Sequence, residues 1–297
     1  MSGGPLHSAM VYVAMTALFC VSALAAASGP VGAAGHAAAH GKVLFVRNGS
    51  LRLCVETGGE GSPPVILVHG LAGDLTMWDA PLHHLWKSHR AAALDLRGHG
   101  RSGRPSDGDY SIPAMASDVL AVADALGMKR FVLVGHSLGG SVILACAQEA
   151  PERVAGLLFV DPAGDVARLP KERLDAMLER MKAPTYLSFM RGWFGANLTE
   201  ARPSTRRKVF ADLDRTPPEV VAASYAGLAR FDPLPALRAY RGPMLTVILP
   251  GSDRPSSFQN LVPDLPAVRL RGLSHWLMMD DPKGFDRIMD NFLARIG

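Results

Sequence analysis

The sequence predicts an α/β fold: a mostly parallel sheet of eight strands, flanked by helices and interrupted once by a helical insertion. Three observations carry this. Short β-type runs alternate with helical stretches, most of the runs are continuously apolar, and one long interval contains no strand. Continuous apolar runs mark strands buried on both faces, as in a parallel sheet covered by helices. The alternation of strand and helix argues a doubly wound arrangement. With 297 residues, 48% hydrophobic and 20% charged, the chain has material for one sizeable core.

Residues 1–41 contain no Asp, Glu, Lys or Arg. An apolar run from Met10 to Leu24 is followed by small residues, which reads as an export signal over residues 1–28. The alternative is an uncleaved apolar anchor, since the run approaches spanning length. No later segment is long and apolar enough to span a bilayer. The mature chain is therefore expected to be exported, periplasmic or secreted, without stable membrane insertion.

The core is expected over residues 42–162 and 242–297. The runs at 42–46 and 51–56 flank Asn48-Gly49, a hairpin signal that places an antiparallel pair at the sheet edge. Strands follow at 64–69, 91–96, 131–135, 156–161, 244–249 and 267–270. Helices are expected at 111–126, 138–149 and 283–295. From 163 to 241 there is no convincing strand, and an unstructured loop of that length is improbable. A helical cap over the carboxyl ends of the strands, where open α/β sheets bind ligands, fits this interval. It carries the aromatic cluster Tyr186, Phe189, Trp193 and Phe194, which either lines a pocket or forms the cap's own core.

The chemistry concentrates at FVLVGHSLGG, residues 131–140. Gly135, Ser137 and Gly139 fit G-x-S-x-G between a buried strand and a small-residue helix. There a sharp turn exposes the serine oxygen at a helix N-terminus. A serine hydroxyl needs a base and an orienting carboxylate. His275, after the last strand, is the candidate base. His136 adjoins the serine but should point away from it. Asp253, after the strand at 244–249, is the favoured acid, with Asp161, after the strand at 156–161, as the alternative. Asp280 and Asp281 follow His275 closely and open a helix, where capping accounts for them. The backbone N–H groups of Leu71 and Leu138 are the candidate oxyanion donors.

The remaining features point away from other functions. Cys54 and Cys146 read as separate buried thiols rather than a disulfide. The net charge of +4 is dispersed, and Arg206-Arg207-Lys208 reads as a solvated helix face rather than a nucleic-acid site. The histidines do not cluster at metal-ligand spacing and no dinucleotide or phosphate-loop fingerprint is present, so no cofactor or metal is expected. The expected partner is a small-molecule substrate.

Taken together, VILVHGLAGD, ALDLRGHGRS, FVLVGHSLGG, LLFVDPAG, LTVILPGSD and LRGLSHWLMMDDPKGFDRIMDNFL resemble the α/β-hydrolase family, in its branch of capped serine esterases and lactonases. The resemblance runs from about residue 43 to the end. It implies Ser137 as nucleophile, His275 as base, Asp253 as acid, Leu71 and Leu138 as the oxyanion hole and 163–241 as the cap. It also implies that DLRGHGRS is mostly structural. One departure concerns the acid: a single residue separates Gly251 from Asp253 where the family usually has two. Serine at 137 argues against the dehalogenase and epoxide hydrolase relatives, which use aspartate. The expected activity is hydrolysis of a small or medium apolar carboxylic ester or lactone. Carbon–carbon bond hydrolysis, or a ligand receptor with slow turnover, are the alternatives on the same fold.

Overall fold

The computed structural model describes residues 41–296. The expected signal at 1–28 lies outside the described residues. Eight strands form one sheet: β1 (Lys42–Asn48), β2 (Leu51–Gly58), β3 (Val65–Val68), β4 (Ala91–Leu94), β5 (Phe131–His136), β6 (Val154–Val160), β7 (Met244–Ile248) and β8 (Ala267–Arg269). Their spatial order is β1-β2-β4-β3-β5-β6-β7-β8. β2 runs antiparallel to both β1 and β4, and all pairings from β4 to β8 are parallel. The hairpin turns at Gly49, whose φ of 58° is in the left-handed region that glycine adopts without a Cβ penalty.

The helices are α1 (Asp79–Leu85), α2 (Ile112–Ala125), α3 (Leu138–Glu149), α4 (Lys171–Lys182), α5 (Tyr186–Ala196), α6 (Pro203–Arg215), α7 (Pro218–Ala229), α8 (Leu234–Ala239), α9 (Phe258–Leu261), α10 (Leu277–Asp280) and α11 (Pro282–Leu293). Helices α4 to α8 fill the strand-free interval between β6 and β7.

Every residue of β3, β4, β5 and β6 is buried, which is why these strands read as unbroken apolar runs. Helix α3 is buried from Leu138 to Ala147, a stretch in which Ser141 alone carries a polar side chain. Helix α11 instead buries one stripe, Phe285, Met289, Phe292 and Leu293, and leaves its other face to solvent. Each fully buried Leu, Val or Phe contributes roughly 1.5–3 kcal/mol of hydrophobic free energy. Cys54 and Cys146 are buried and unpaired. Among the described residues no helix is long and apolar enough to cross a membrane.

The sheet order fixes where a site can form. The chain moves from β3 outward to β4, then returns to the far side of β3 as β5. The loops after β3 and β5 therefore leave the sheet side by side and diverge, opening a crevice at their carboxyl ends. Leu71 lies on the first loop and Ser137 on the second.

Candidate active site

Ser137 joins β5 to α3 with φ 52° and ψ −115°. A non-glycine residue held there carries strain of order 1–3 kcal/mol, sustained only by its surroundings. The flanking glycines permit the close approach. A Cβ on Gly135 would lie 2.3 Å from the Gly139 carbonyl oxygen, and one on Gly139 would lie 2.4 Å from that of Val68. A Cβ on Gly70 would come within 3.0 Å of the Ser137 Cβ, so the loop after β3 passes directly beside the serine. Leu138 begins α3, and neither its N–H nor that of Leu71 has an acceptor among the described residues.

The His275 Nδ1–H donates to Asp161 Oδ2 at 2.5 Å. The carboxylate only accepts, so Nδ1 carries a proton and Nε2 is the nitrogen left free of Asp161. Asp161 follows β6 directly with φ 42°, a second strained residue at the sheet edge. Fully buried, it also accepts from Ser252 Oγ at 2.9 Å and from the Leu249 N–H at 3.3 Å.

The acid expected from sequence is corrected here. Asp253 does not meet His275; its carboxylate accepts from Asn260 at 2.8 Å, Gln259 at 3.0 Å and Arg269 at 3.1 Å. Those hydrogen bonds, Asn260 first, hold its carboxyl below the ordinary carboxylate range. The physical reason is the short turn after β7. With one residue between Gly251 and Asp253, Ser252 is the residue that faces Asp161, and Asp253 is carried past it toward α9 and β8.

Among the described residues Ser137 Oγ takes part in no hydrogen bond, so the contact with His275 expected from the sequence is not made. Catalytic hydrogen bonds commonly tighten only with substrate bound. His136 connects the two residues instead: its Nε2–H donates to the His275 carbonyl at 2.9 Å, and the two rings lie 4.6 Å apart. Burial keeps the His136 ring well below the usual histidine range, so it stays neutral.

Other residues that sequence reasoning did not assign also hold the His275 loop. The His275 N–H donates to the Asn197 carbonyl at the end of α5, at 3.2 Å. Asp280 is buried and accepts from Ser274 N at 2.9 Å, Ser274 Oγ at 2.5 Å and Arg202 N at 3.0 Å. It anchors the histidine loop to the inserted helices rather than capping α11, the role that falls to Asp281 through Gly284 N at 3.1 Å. An aromatic chain follows the same path: Tyr225–Trp193 at 5.6 Å, Trp193–Phe194 at 5.7 Å, Phe194–Trp276 at 5.5 Å and Trp276–His275 at 5.1 Å. Trp78, by contrast, is fully buried beside Phe285 and packs the core.

The loop after β3 is braced as well. His69 donates from Nδ1 to Gly70 O at 2.7 Å and accepts the Leu96 N–H on Nε2 at 3.0 Å, tying the ends of β3 and β4 together. Burial pushes its pKa down to about 4, and that of its neighbour His99 to about 3. Lys208 is not part of a solvated face; it bonds Asp74 at 2.8 Å and Asp212 at 2.5 Å. In DLRGHGRS, Arg97 is locked on Asp118 at 2.6 and 2.9 Å and on the Asp109 and Ala114 carbonyls, a structural assignment.

Residues 63–235, more than half of the chain, match the α/β-hydrolase fold family. The chain belongs to that family. Among curated relatives, the lipase LipV of Mycobacterium tuberculosis is 36% identical over 159 residues, covering 53% of this α/β-hydrolase and 55% of the relative. The dihydrolipoyllysine-residue acetyltransferase component of the acetoin cleaving system of Pseudomonas putida is 43% identical over 117 residues, 39% of this chain and 31% of that protein. The chain thus spans about a third to about half the length of these relatives. Two solved structures cover nearly all of their own length. A thermophilic esterase from Thermogutta terrifontis superposes with a TM-score of 0.74 at 25% identity, over 86% of this chain and 99% of that one. The enol-lactonase from Burkholderia xenovorans LB400 superposes at 0.75 and 22% identity, over 84% and 100%, a likeness of fold.

Proposed function

We propose that this α/β-hydrolase cleaves a small or medium apolar carboxylic ester or lactone through an acyl-enzyme on Ser137. The carrying observation is the pairing of His275 Nδ1 with the buried Asp161 carboxylate, on the loop that His136 ties beside the serine elbow. In this reading His275 Nε2 takes the proton of Ser137 as its oxygen attacks the carbonyl carbon. Asp161 holds the ring tautomer and stabilises the imidazolium. The N–H groups of Leu71 and Leu138 bind the oxyanion, and His275 returns the proton to the leaving oxygen. Water, deprotonated by His275, then releases the acid and regenerates Ser137.

The apolar substrate is suggested by the aromatic chain from Tyr225 to Trp276 beside His275. The esterase and lipase named above favour the same bond class. Segment 163–241 acts as the cap in this proposal, and residues 1–28 direct export. The decisive experiment is labelling with a fluorophosphonate followed by peptide mass spectrometry, and then turnover on aryl esters of increasing acyl length. Modification confined to Ser137, with multiple turnovers on short and medium esters, is the expected outcome. Absence of labelling at Ser137, or labelling without turnover, refutes it.

A further inference from the structure

A cavity of about 620 Å³ opens toward β4 from the oxyanion loop, and the proposed reaction leaves it unused. Its walls come from the loop after β3 (Gly73 to Thr76), the loop after β4 (Asp95 to Arg104) and the last two turns of α6. Neither Ser137 nor His275 lines it.

The charges in this cavity are unequally satisfied. Both oxygens of each of its carboxylates accept at least one hydrogen bond. Asp95 accepts the N–H groups of Leu75 at 2.7 Å and Arg101 at 2.8 Å. Asp74 accepts from Thr76 N, Thr76 Oγ1, Lys208 and Arg215, and Asp212 from Lys208 and Arg215. The cations at the mouth are not engaged to the same degree. Among the described residues the Arg101 guanidinium makes no hydrogen bond, and its nearest carboxylate oxygen, on Asp95, is 4.0 Å away. Within the same residues Arg104 donates only through Nη1, to Glu219, and Arg215 only through Nη2.

A guanidinium carries five N–H donors in a fixed fork, so Arg101, Arg104 and Arg215 keep most of their donors free of protein acceptors among the described residues. The lining holds four cations, Arg101, Arg104, Lys208 and Arg215, against Asp74, Asp95 and Asp212. Three guanidiniums line this concave space from two separate elements, the loop after β4 and α6.

We propose that this cavity is an anion-binding site, separate from the catalytic crevice, that takes a small carboxylate or phosphate ligand on Arg101, Arg104 and Arg215. The fork geometry of guanidinium matches both oxyanions.

The test is thermal unfolding and calorimetric titration of the full chain with inorganic phosphate and with succinate, ionic strength held constant with sodium chloride. Saturable stabilisation by either anion, with a midpoint below about 20 mM, is the expected result. Saturation by succinate alone assigns a carboxylate site, and by phosphate alone a phosphate site. Arg101→Gln and Arg104→Gln, made singly so that each retains the fold by near-UV circular dichroism, should each raise the midpoint roughly tenfold or more. Ester turnover without ligand should be unchanged in both. Ser137→Ala should lose turnover yet bind the anion as the parent does, which separates this site from the proposed reaction. No saturation beyond the chloride control, or an unchanged midpoint in both arginine variants, overturns the proposal.

Discussion

Asp161→Asn tests the reassigned acid. The side chain is fully buried and accepts the His275 Nδ1–H at 2.5 Å. An amide that turns its NH2 toward the ring forces the proton to Nε2, leaving no lone pair for the serine proton. Loss of tautomer control and of the charge that stabilises imidazolium costs about 10⁴-fold in kcat, or about 5 kcal/mol of activation free energy. Stability should change far less. The Asn Oδ1 can still accept from Ser252 or Leu249, so the loss is of the order of one neutral hydrogen bond, about 1 kcal/mol. Asp253→Asn is the control: Asp253 pairs with a half-exposed Arg269 and touches neither Ser137 nor His275, so kcat/KM should stay within about threefold. Both variants are compared on p-nitrophenyl butyrate, with melting temperatures measured in parallel. Collapse of activity in Asp253→Asn, with Asp161→Asn within tenfold of the parent, would show that the acid has been misassigned.

Acid stability should follow the buried histidines. His69 and His99 sit at about 4 and about 3 because burial disfavours their charged forms, against an ordinary value of 6.5. The unfolded chain binds protons that the fold does not. Each ring thus adds stability that is complete above pH ~6.5 and is lost on acidification through ~4 and ~3, with a slope of about 1.4 kcal/mol per pH unit. Urea midpoints between pH 7 and 5 should fall accordingly, and a flat profile would contradict this. Gly139→Ala places a Cβ 2.4 Å from the Val68 carbonyl oxygen and should abolish soluble expression; a melting temperature close to that of the parent would refute the close-approach argument. Asp280→Ala strands buried donors of Ser274 and frees Arg202 N. The expected loss is about 2 kcal/mol, or roughly 4–8 °C in Tm. Its kcat should fall more than its KM changes, because the His275 loop loses its anchor.

The strands, their order along the chain and the serine elbow were legible because each is a local matter. A strand buried on both faces has to be apolar at every position, as β3 to β6 are. The elbow is contiguous: its strand, strained residue and helix lie within Phe131–Glu149, and glycine stands where two backbones nearly touch. Which carboxylate pairs with His275 was not local. Asp161 and Asp253 follow β6 and β7, which are neighbours in the sheet, so both reach the same edge. Which of them meets the histidine depends on φ at Asp161 and on a three-residue turn, and residue type reports neither. Nothing near His136 in the chain announced its acceptor, the His275 carbonyl, which is 139 residues further along. Lys208 looked solvated for the same reason, because its partner Asp74 is 134 residues distant. Periodicity and turn chemistry act between near neighbours in the chain. A buried hydrogen bond between remote loops is set by how the sheet brings strand ends together, so those contacts came into view only with the fold.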